Sequence, residues 1–323
     1  MNKIDPAKNI RLSKAVRDFL KVLNSSGGPA METLSPGAAR QVLVDAQLSA
    51  KVSQPECKIE QRRIQQNGLE VLLYIVRPMT SSGNSPAFLF VHRGGWVLGD
   101  FPTHERLVRD LVAKSGFTAV FVEYSRSPEA KYPVALDEIY AGLQWLAAQG
   151  AEIGVDTKQL AIVGNSVGGN MAAATALRAL HQNGPMVKAQ VLLWPVTDAT
   201  FDTQSYEEFA NGYFLTRAMM KWFWDAYTAN AAQRSEIYAS PLQADLKQLN
   251  GLPPTLVQVA GADVLRDEGI AFARKLDDAG VPVTLVQYDQ LIHDYGLLNA
   301  LSNVPSVVSA LNQAAQFLRA HLV

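Results

Sequence analysis

Apolar residues recur along this chain with two different periods, and the change falls near residue 50. Over residues 9–23, Leu12, Val16, Phe19, Leu20 and Leu23 share one face at helical spacing while Arg11, Lys14, Arg17 and Lys21 point elsewhere, which predicts an amphipathic helix with a surface to cover. Residues 24–29 break that pattern, and a second helix is expected from about Pro36 to Ser49 with Ser35 as its cap. From Cys57 to Val76 two β-rich stretches meet across Asn67-Gly68, a pair suited to a tight turn with positive φ, so a hairpin is predicted. From Ala87 onward short apolar runs alternate with helix-like segments, as parallel βαβ units require. The strand candidates are Ala87 to Val91, Thr118 to Glu123, Leu160 to Val163, Val187 to Trp194, Thr255 to Ala260 and Val283 to Tyr288. With the hairpin they predict an α/β fold built on an eight-stranded, mostly parallel sheet flanked by helices.

One segment interrupts the alternation. Residues 198–236 carry Phe201, Tyr206, Phe209, Tyr213, Phe214, Trp222, Phe223, Trp224 and Tyr227. An insertion that leaves the carboxyl edge of a sheet with so much apolar surface is expected to roof a pocket and shape a substrate site. Most of these aromatics are expected to pack on the amino-terminal helices, and a minority to touch substrate. The expected organisation is therefore helices in residues 1–50, a catalytic domain in 51–323, and the 198–236 insertion within it.

Composition narrows the class of function. The 323 residues are 48% hydrophobic and 18% charged, normal for a globular chain with a substantial core. Basic residues, 29, nearly cancel the 30 acidic ones, so no general field attracts nucleic acid or an anionic membrane. No apolar run approaches the ~20 residues that span a bilayer. A single cysteine, Cys57, allows no internal disulfide, and the amino terminus lacks the apolar core of a signal peptide, which together lead to the expectation of a cytoplasmic protein. No phosphate loop, dinucleotide turn or metal-ligand spacing occurs, so neither a cofactor nor a metal is implied.

The candidate chemistry centres on Gly164-Asn165-Ser166-Val167-Gly168, which follows the apolar run Leu160 to Val163. Read as strand, sharp turn and helix, it is a nucleophile elbow: small residues flank the serine because bulkier ones would clash in so tight a turn. Upstream, Ala87 to Val91 runs into His92-Arg93-Gly94-Gly95-Trp96, where paired glycines allow backbone N–H groups to approach a substrate oxygen. Downstream, Asp263 follows one predicted strand and His293 another, giving the chain order Ser, Asp, His expected of an α/β-hydrolase. A serine hydroxyl needs a base within hydrogen-bond reach, and His293 is the best of the five histidines. His92 belongs to the glycine motif, His104 opens a predicted helix, His181 ends the helix after the elbow and His321 lies near the carboxyl terminus. Asp289 and Asp294, close to His293 in sequence, read as solvated loop carboxylates.

These motifs together resemble the hormone-sensitive-lipase family of α/β-hydrolases, in its bacterial esterase group. The resemblance is carried by His92-x-Gly94-Gly95-Trp96, by Glu123 to Glu129 with Tyr132-Pro133, by the elbow with its extra Gly169, by Asp263 to Gly269 and by His293-Asp294-Tyr295, and it covers about residues 57 to 321. It implies an α/β-hydrolase fold with a helical cap, to which the amino-terminal helices contribute. It also implies a short-chain carboxylic-ester hydrolase with Ser166 as nucleophile, His293 as base and Asp263, rather than nearby Asp267, as the third member. Gly94, Gly95 and Val167 would supply oxyanion donors. The sequence departs from the family pattern in Arg93 for a glycine, in Asn165-Ser166-Val167 for Asp-Ser-Ala, and in lacking a glycine shortly before His293.

Further expectations concern substrate. His92, Arg93, Trp96, Asn165, Trp194, Tyr213 and Phe214 are the candidate substrate contacts. The Arg93 guanidinium would favour esters bearing a nearby carboxylate, Asn165 would hold the elbow loop, and Trp194 would restrict the acid part to short chains. Amide, carbamate or lactone hydrolysis by the same triad is a neighbouring reading, and a non-catalytic small-molecule receptor is one from another class. The expected partner is a small-molecule ester, with no nucleic acid and no membrane, and the resemblance suggests a homodimer.

Overall fold

A two-residue turn starts the sheet. Asn67 and Gly68 both hold positive φ, 54° and 78°, as a type I′ hairpin needs, and they join β1 (Cys57–Gln66) to β2 (Leu69–Pro78) in antiparallel register with Cys57 opposite Pro78. The computed structural model describes residues 5–80 and 83–323. The remaining strands are β3 (Ser85–Val91), β4 (Thr118–Glu123), β5 (Val155–Asn165), β6 (Ala189–Leu193), β7 (Thr255–Ala262) and β8 (Val283–Ile292). They lie in the order β1-β2-β4-β3-β5-β6-β7-β8, with β2 antiparallel to β4 and every later pair parallel. This is the eight-stranded, mostly parallel sheet the sequence predicts. β5 begins at Val155, earlier than the apolar run suggests, because Val155 already pairs with Ser85 of β3 before a register shift, after which pairing resumes at Leu160 opposite Ala87.

The central strands are apolar on both faces because helices cover both. Ala87 to Val91 are all fully buried, as are Ala119 to Val122 and Leu160 to Val163. Each large side chain there contributes ~1.5–3 kcal/mol of burial, and truncating Leu89 to alanine would cost ~2–5 kcal/mol. Two helices precede the sheet, α1 (Lys14–Ser25) and α2 (Pro36–Leu48). The crossovers are α3 (Phe101–Ser115), α4 (Val134–Gln149), α5 (Val167–His181), α6 (Gln204–Glu208), α7 (Arg217–Tyr227), α8 (Leu246–Leu249) and α9 (Arg266–Asp278), and α10 (Pro305–Leu322) closes the chain. α3 and α10 pack together on one face, and α4, α5 and α9 cover the other.

The amino-terminal helices follow the predicted pattern with one correction. Ser35 caps α2 by accepting from the Ala38 N–H, as expected. α1, however, begins at Lys14 rather than near residue 9, since Ser13 caps it and the Asn9 side chain instead accepts from the Arg11 N–H. Leu12, Val16 and Leu20 are buried, while Leu23, placed on the same face by periodicity, is 38% exposed.

These helices sit against the 198–236 insertion and the loops at the carboxyl end of the sheet. Asn9 donates to the Tyr213 hydroxyl, Asn24 to the Gly212 carbonyl, and the Ser13 N–H to Gln290 O. The insertion folds into α6 and α7, and Met219, Met220, Phe223, Trp224 and Tyr227 of α7 are buried. No helix among the described residues is long and apolar enough to cross a membrane.

Candidate active site

The carboxyl ends of β5, β7 and β8 bring together the three residues separated by 127 and 30 positions in the chain. Ser166 Oγ lies 3.0 Å from His293 Nε2, and His293 Nδ1 lies 2.7 Å from Asp263 Oδ2. The second oxygen of Asp263 accepts from the Leu265 N–H at 3.0 Å, which fixes the carboxylate plane. The Asp263 carboxylate requires a proton on Nδ1, leaving Nε2 free to accept from the serine hydroxyl. Asp267, the competing carboxylate, is turned away, bonded to Arg266 and to the Ser205 N–H.

Ser166 stands between β5 and α5 with φ 56° and ψ −121°. Such a conformation in a residue with a side chain costs ~1–3 kcal/mol and persists only where its surroundings impose it. Here the Ser166 N–H donates to Leu193 O at 2.9 Å, and the Ser166 carbonyl accepts from the Val196 and Asn170 N–H groups. Close approach does the rest: a Cβ on Gly168 would stand 2.0 Å from Val91 O, so the elbow seats directly on the end of β3.

The loop after β3 starts against the elbow, since a Cβ on Gly168 would also stand 2.7 Å from His92 O, and it presents open donors. Among the described residues no acceptor pairs with the N–H groups of Gly94, Gly95 or Val167. The loop turns on itself through Val97 N–H and Leu98 N–H, both donating to Gly94 O at 3.0 and 2.7 Å. Gly95 admits no larger residue because Phe223 of α7 lies on it: a Cβ there would sit 2.0 Å from the phenyl ring. Phe223 was one of nine aromatics in the insertion, and nothing in its local sequence distinguishes it from the others.

Burial sets the acid–base state. Ser166 is 4% exposed and His293 1%. Burial is the largest influence on His293 and pushes its pKa below the ordinary 6.5; Asp263 pulls it back up and Arg93 adds to the lowering. The imidazole is therefore neutral at pH 7, the form that accepts a proton.

The expected substrate contacts divide. His92 is fully buried, its ring stacked at 4.0 Å on Tyr124 and its Nδ1 donating to Arg93 O, so it supports the loop rather than meeting a ligand. Burial pushes it down to about 3, and it stays neutral. Trp96 is likewise buried, stacked at 4.0 Å on Tyr227, and Tyr213 packs on Phe209 with its hydroxyl bonded to Asn9. Both join α7 and the amino-terminal segment to the body of the fold. Asn165 corrects a further expectation: its amide is fully buried and has no hydrogen-bond partner among the described residues, so no side-chain bond ties down the elbow there. Phe214 is half-buried, with the Arg93 guanidinium 5.9 Å from its ring centre. Trp194 is 1% exposed and lies against Tyr295 at the foot of the elbow.

Two carboxylates near the histidine behave differently. Asp289 is exposed, as predicted, but it lies within β8 rather than in a loop. Asp294 is not a solvated loop residue: it is fully buried, ion-paired with Arg93, bonded at 3.1 Å to the Trp194 indole N–H, and 3.6 Å from His293 Nε2. Arg93 is 5% exposed, and burial pushes its pKa down to about 9, so it remains a cation at neutral pH. The guanidinium expected to greet an acidic substrate is thus already neutralised by Asp294. Sequence reasoning missed Asp294 because its partner lies 201 positions away.

No cluster of three or more metal-ligating side chains occurs among the described residues. A sheet in this strand order with a serine elbow and histidine at strand ends defines an α/β-hydrolase, and residues 88–297 match a family model described as the alpha/beta hydrolase fold. The chain belongs to that superfamily, in its hormone-sensitive-lipase-like family. It is 30% identical over 319 residues to an ethyl acetate hydrolase of Pseudomonas putida, covering 96% of this chain and 98% of the relative. Among solved structures, a thermostable esterase from Pseudomonas putida superposes with a TM-score of 0.96 at 56% identity, covering 97% and 98% of the two chains. A fungal esterase from Rhizomucor miehei gives 0.90 at 35% identity, covering 96% of each. Solved variants of an esterase 55% identical to this chain replace a serine by alanine and a tryptophan 28 positions later by histidine, the spacing that separates Ser166 from Trp194.

Proposed function

We propose that this carboxylesterase cleaves short-chain acyl esters through a Ser166–His293–Asp263 triad and an acyl-enzyme. The observation that carries the reading is the unbroken relay from Ser166 Oγ to His293 at 3.0 Å and on to Asp263 at 2.7 Å, beside backbone N–H groups that have no acceptor among the described residues. Ser166 attacks the ester carbonyl while His293 Nε2 takes its proton, and Asp263 stabilises the imidazolium that results. The carbonyl oxygen, now negative, is held by Gly94, Gly95 and Val167 N–H. Loss of one such donor costs ~2.7–4 kcal/mol of transition-state stabilisation. The imidazolium then returns its proton to the departing alcohol. A water, deprotonated by the same histidine, releases the acid and restores the serine.

The helices of residues 1–50 and the 198–236 insertion form a cap over this site, a division supported by the contacts of Asn9, Asn24 and Phe223. Trp194, buried next to the elbow, bounds the acyl side and limits the acid part to short chains. A relative named for ethyl acetate supports the short-chain reading. The single cysteine suits a reducing, cytoplasmic setting.

The test is pre-steady-state hydrolysis of p-nitrophenyl acetate. A burst of p-nitrophenol stoichiometric with enzyme, abolished in Ser166→Ala, is expected. Equal rates in Ser166→Ala and the parent would overturn the assignment.

A further inference from the structure

The loop that carries Gly94 and Gly95 is secured at successive backbone groups, and the source of each bond matters. Tyr124 donates to His92 O at 3.0 Å, the Ser127 N–H to Trp96 O at 2.9 Å, and Arg126 to Gly99 O at 2.8 Å, while Glu123 accepts from the Phe101 N–H at 2.9 Å. All four involve the end of β4 or the segment that follows it, within the body of the fold. A fifth bond does not. Arg40, in the middle of α2, donates from Nε to Val97 O at 2.8 Å.

Arg40 is itself held as a fork. One terminal nitrogen donates to Ser127 O at 3.1 Å, and the pair grips Glu129 at 2.9 and 2.6 Å. A planar guanidinium gripped in this bidentate way has its direction fixed, which a lysine ammonium could not reproduce. The peptide whose carbonyl it holds carries the Leu98 N–H, which donates to Gly94 O at 2.7 Å. The guanidinium on an amino-terminal helix is therefore two hydrogen bonds away from the glycine whose N–H has no partner. The second polar attachment of α2 to this end of the fold, Gln47 Nε2 to Thr103 O at 2.6 Å and to Leu297 O at 3.1 Å, bypasses the loop.

We propose that Arg40 is a positioning residue that couples the seating of α2 to the aim of the Gly94 and Gly95 N–H groups, so that the oxyanion donors are set only when the amino-terminal helices are docked. The inference rests on the reading of these glycines as oxyanion donors. It gives the amino-terminal helices a part in the chemical step as well as in enclosing the substrate.

The experiment compares Arg40→Met, Arg40→Lys and Gln47→Ala in the full chain at a temperature well below unfolding. It measures kcat and KM for p-nitrophenyl acetate, and inhibition by an aryl trifluoromethyl ketone, whose adduct with the serine places an oxyanion in the hole. In Arg40→Met, kcat and ketone affinity are expected to fall together by about tenfold, short of the roughly 10²–10³-fold loss that follows removal of a whole donor. KM should stay within about threefold, as for an interaction felt in the transition state alone. Arg40→Lys, which keeps the charge, is expected to recover little. Gln47→Ala, which removes an attachment of α2 away from the loop and leaves the Arg40 grip on Val97 and Glu129 in place, should keep the parent's kcat.

Hydrogen exchange provides an arm independent of turnover, and residues 94–99 should exchange faster in Arg40→Met than in the parent or Gln47→Ala. A parental kcat and ketone affinity in Arg40→Met would overturn the proposal, as would a rise in KM alone or an equal fall of kcat in Gln47→Ala. A parent inert to both ester and ketone would instead count against the oxyanion reading. In that case exchange decides the mechanical link, and unaltered exchange across 94–99 sinks it.

Discussion

The Arg93–Asp294 pair is the most exposed to a quantitative test, because both charges are almost completely removed from water. Asp294 is fully buried, Arg93 is 5% exposed, and the carboxylate's other partner is the Trp194 indole. Removing one member of such a pair strands the other, at a cost of ~3–5 kcal/mol, whereas removing both can be nearly neutral. The perturbations are Arg93→Met, which keeps an unbranched stem, and Asp294→Asn, which keeps an oxygen to accept from Trp194. Each single variant should lose ~3–5 kcal/mol, and at ~2 °C per kcal/mol for a chain of this size the melting temperature should fall by about 6–10 °C. The double variant should recover to within ~1–2 kcal/mol of the parent, so the cycle yields a large coupling energy. Thermal melts at pH 7 measure all four proteins. Kinetics add a sign: Arg93 lowers the pKa of His293, so in Arg93→Met the acid limb of kcat/KM should move to higher pH. Single variants that each lose under ~1 kcal/mol and add without coupling would refute the claim that this is a desolvated, mutually dependent pair.

Three further outcomes are expected. Because burial depresses His293 and the proposed mechanism uses the neutral ring as base, the acid limb of the parent's kcat/KM should have its midpoint below 6.5; a midpoint at or above 6.5 would contradict that account. Burial pushes Glu123 up to about 7, so its contribution to stability is fully present below the ordinary carboxyl range and lost as pH rises through 7. Glu123→Gln, which still accepts from the Phe101 N–H, should therefore raise the melting temperature at pH 8, by an amount equivalent to ~1–3 kcal/mol, and leave it unchanged at pH 5. Trp194→His should raise the rate on hexanoyl relative to acetyl esters by at least ~10-fold, and an unchanged chain-length profile would remove Trp194 from the acyl pocket.

What could be read in advance was whatever is written locally. The Asn67-Gly68 hairpin, the Ser35 cap and the apolar runs of the central strands each rest on a few adjacent residues, and each stands where periodicity and turn chemistry put it. The elbow belongs with them, since its crowding is imposed by neighbours as close as Gly164 and Gly168. The failures are of one kind. Asp294 reads as a loop carboxylate until Arg93 arrives from the end of β3, and Arg40, which no local motif marks, finds Glu129 and Val97 only in the folded chain. Trp96 and Tyr213 look like pocket aromatics, and only the packing of α7 and the amino-terminal segment shows them as mortar between layers. The helix start near residue 9 failed for a subtler reason: Asn9 and Ser13 compete for the same role, and a side-chain bond to Arg11 decides it.

The backbone at Ser166, with its φ of 56°, means that this fold is tensed at the residue proposed to attack the ester. A glycine would rest there without effort, so a mutational search for heat resistance alone would drift toward a chain that endures longer without the proposed nucleophile. Durability in this protein is better sought far from the elbow, among the surface loops and helix ends, where reinforcement leaves the loaded turn undisturbed.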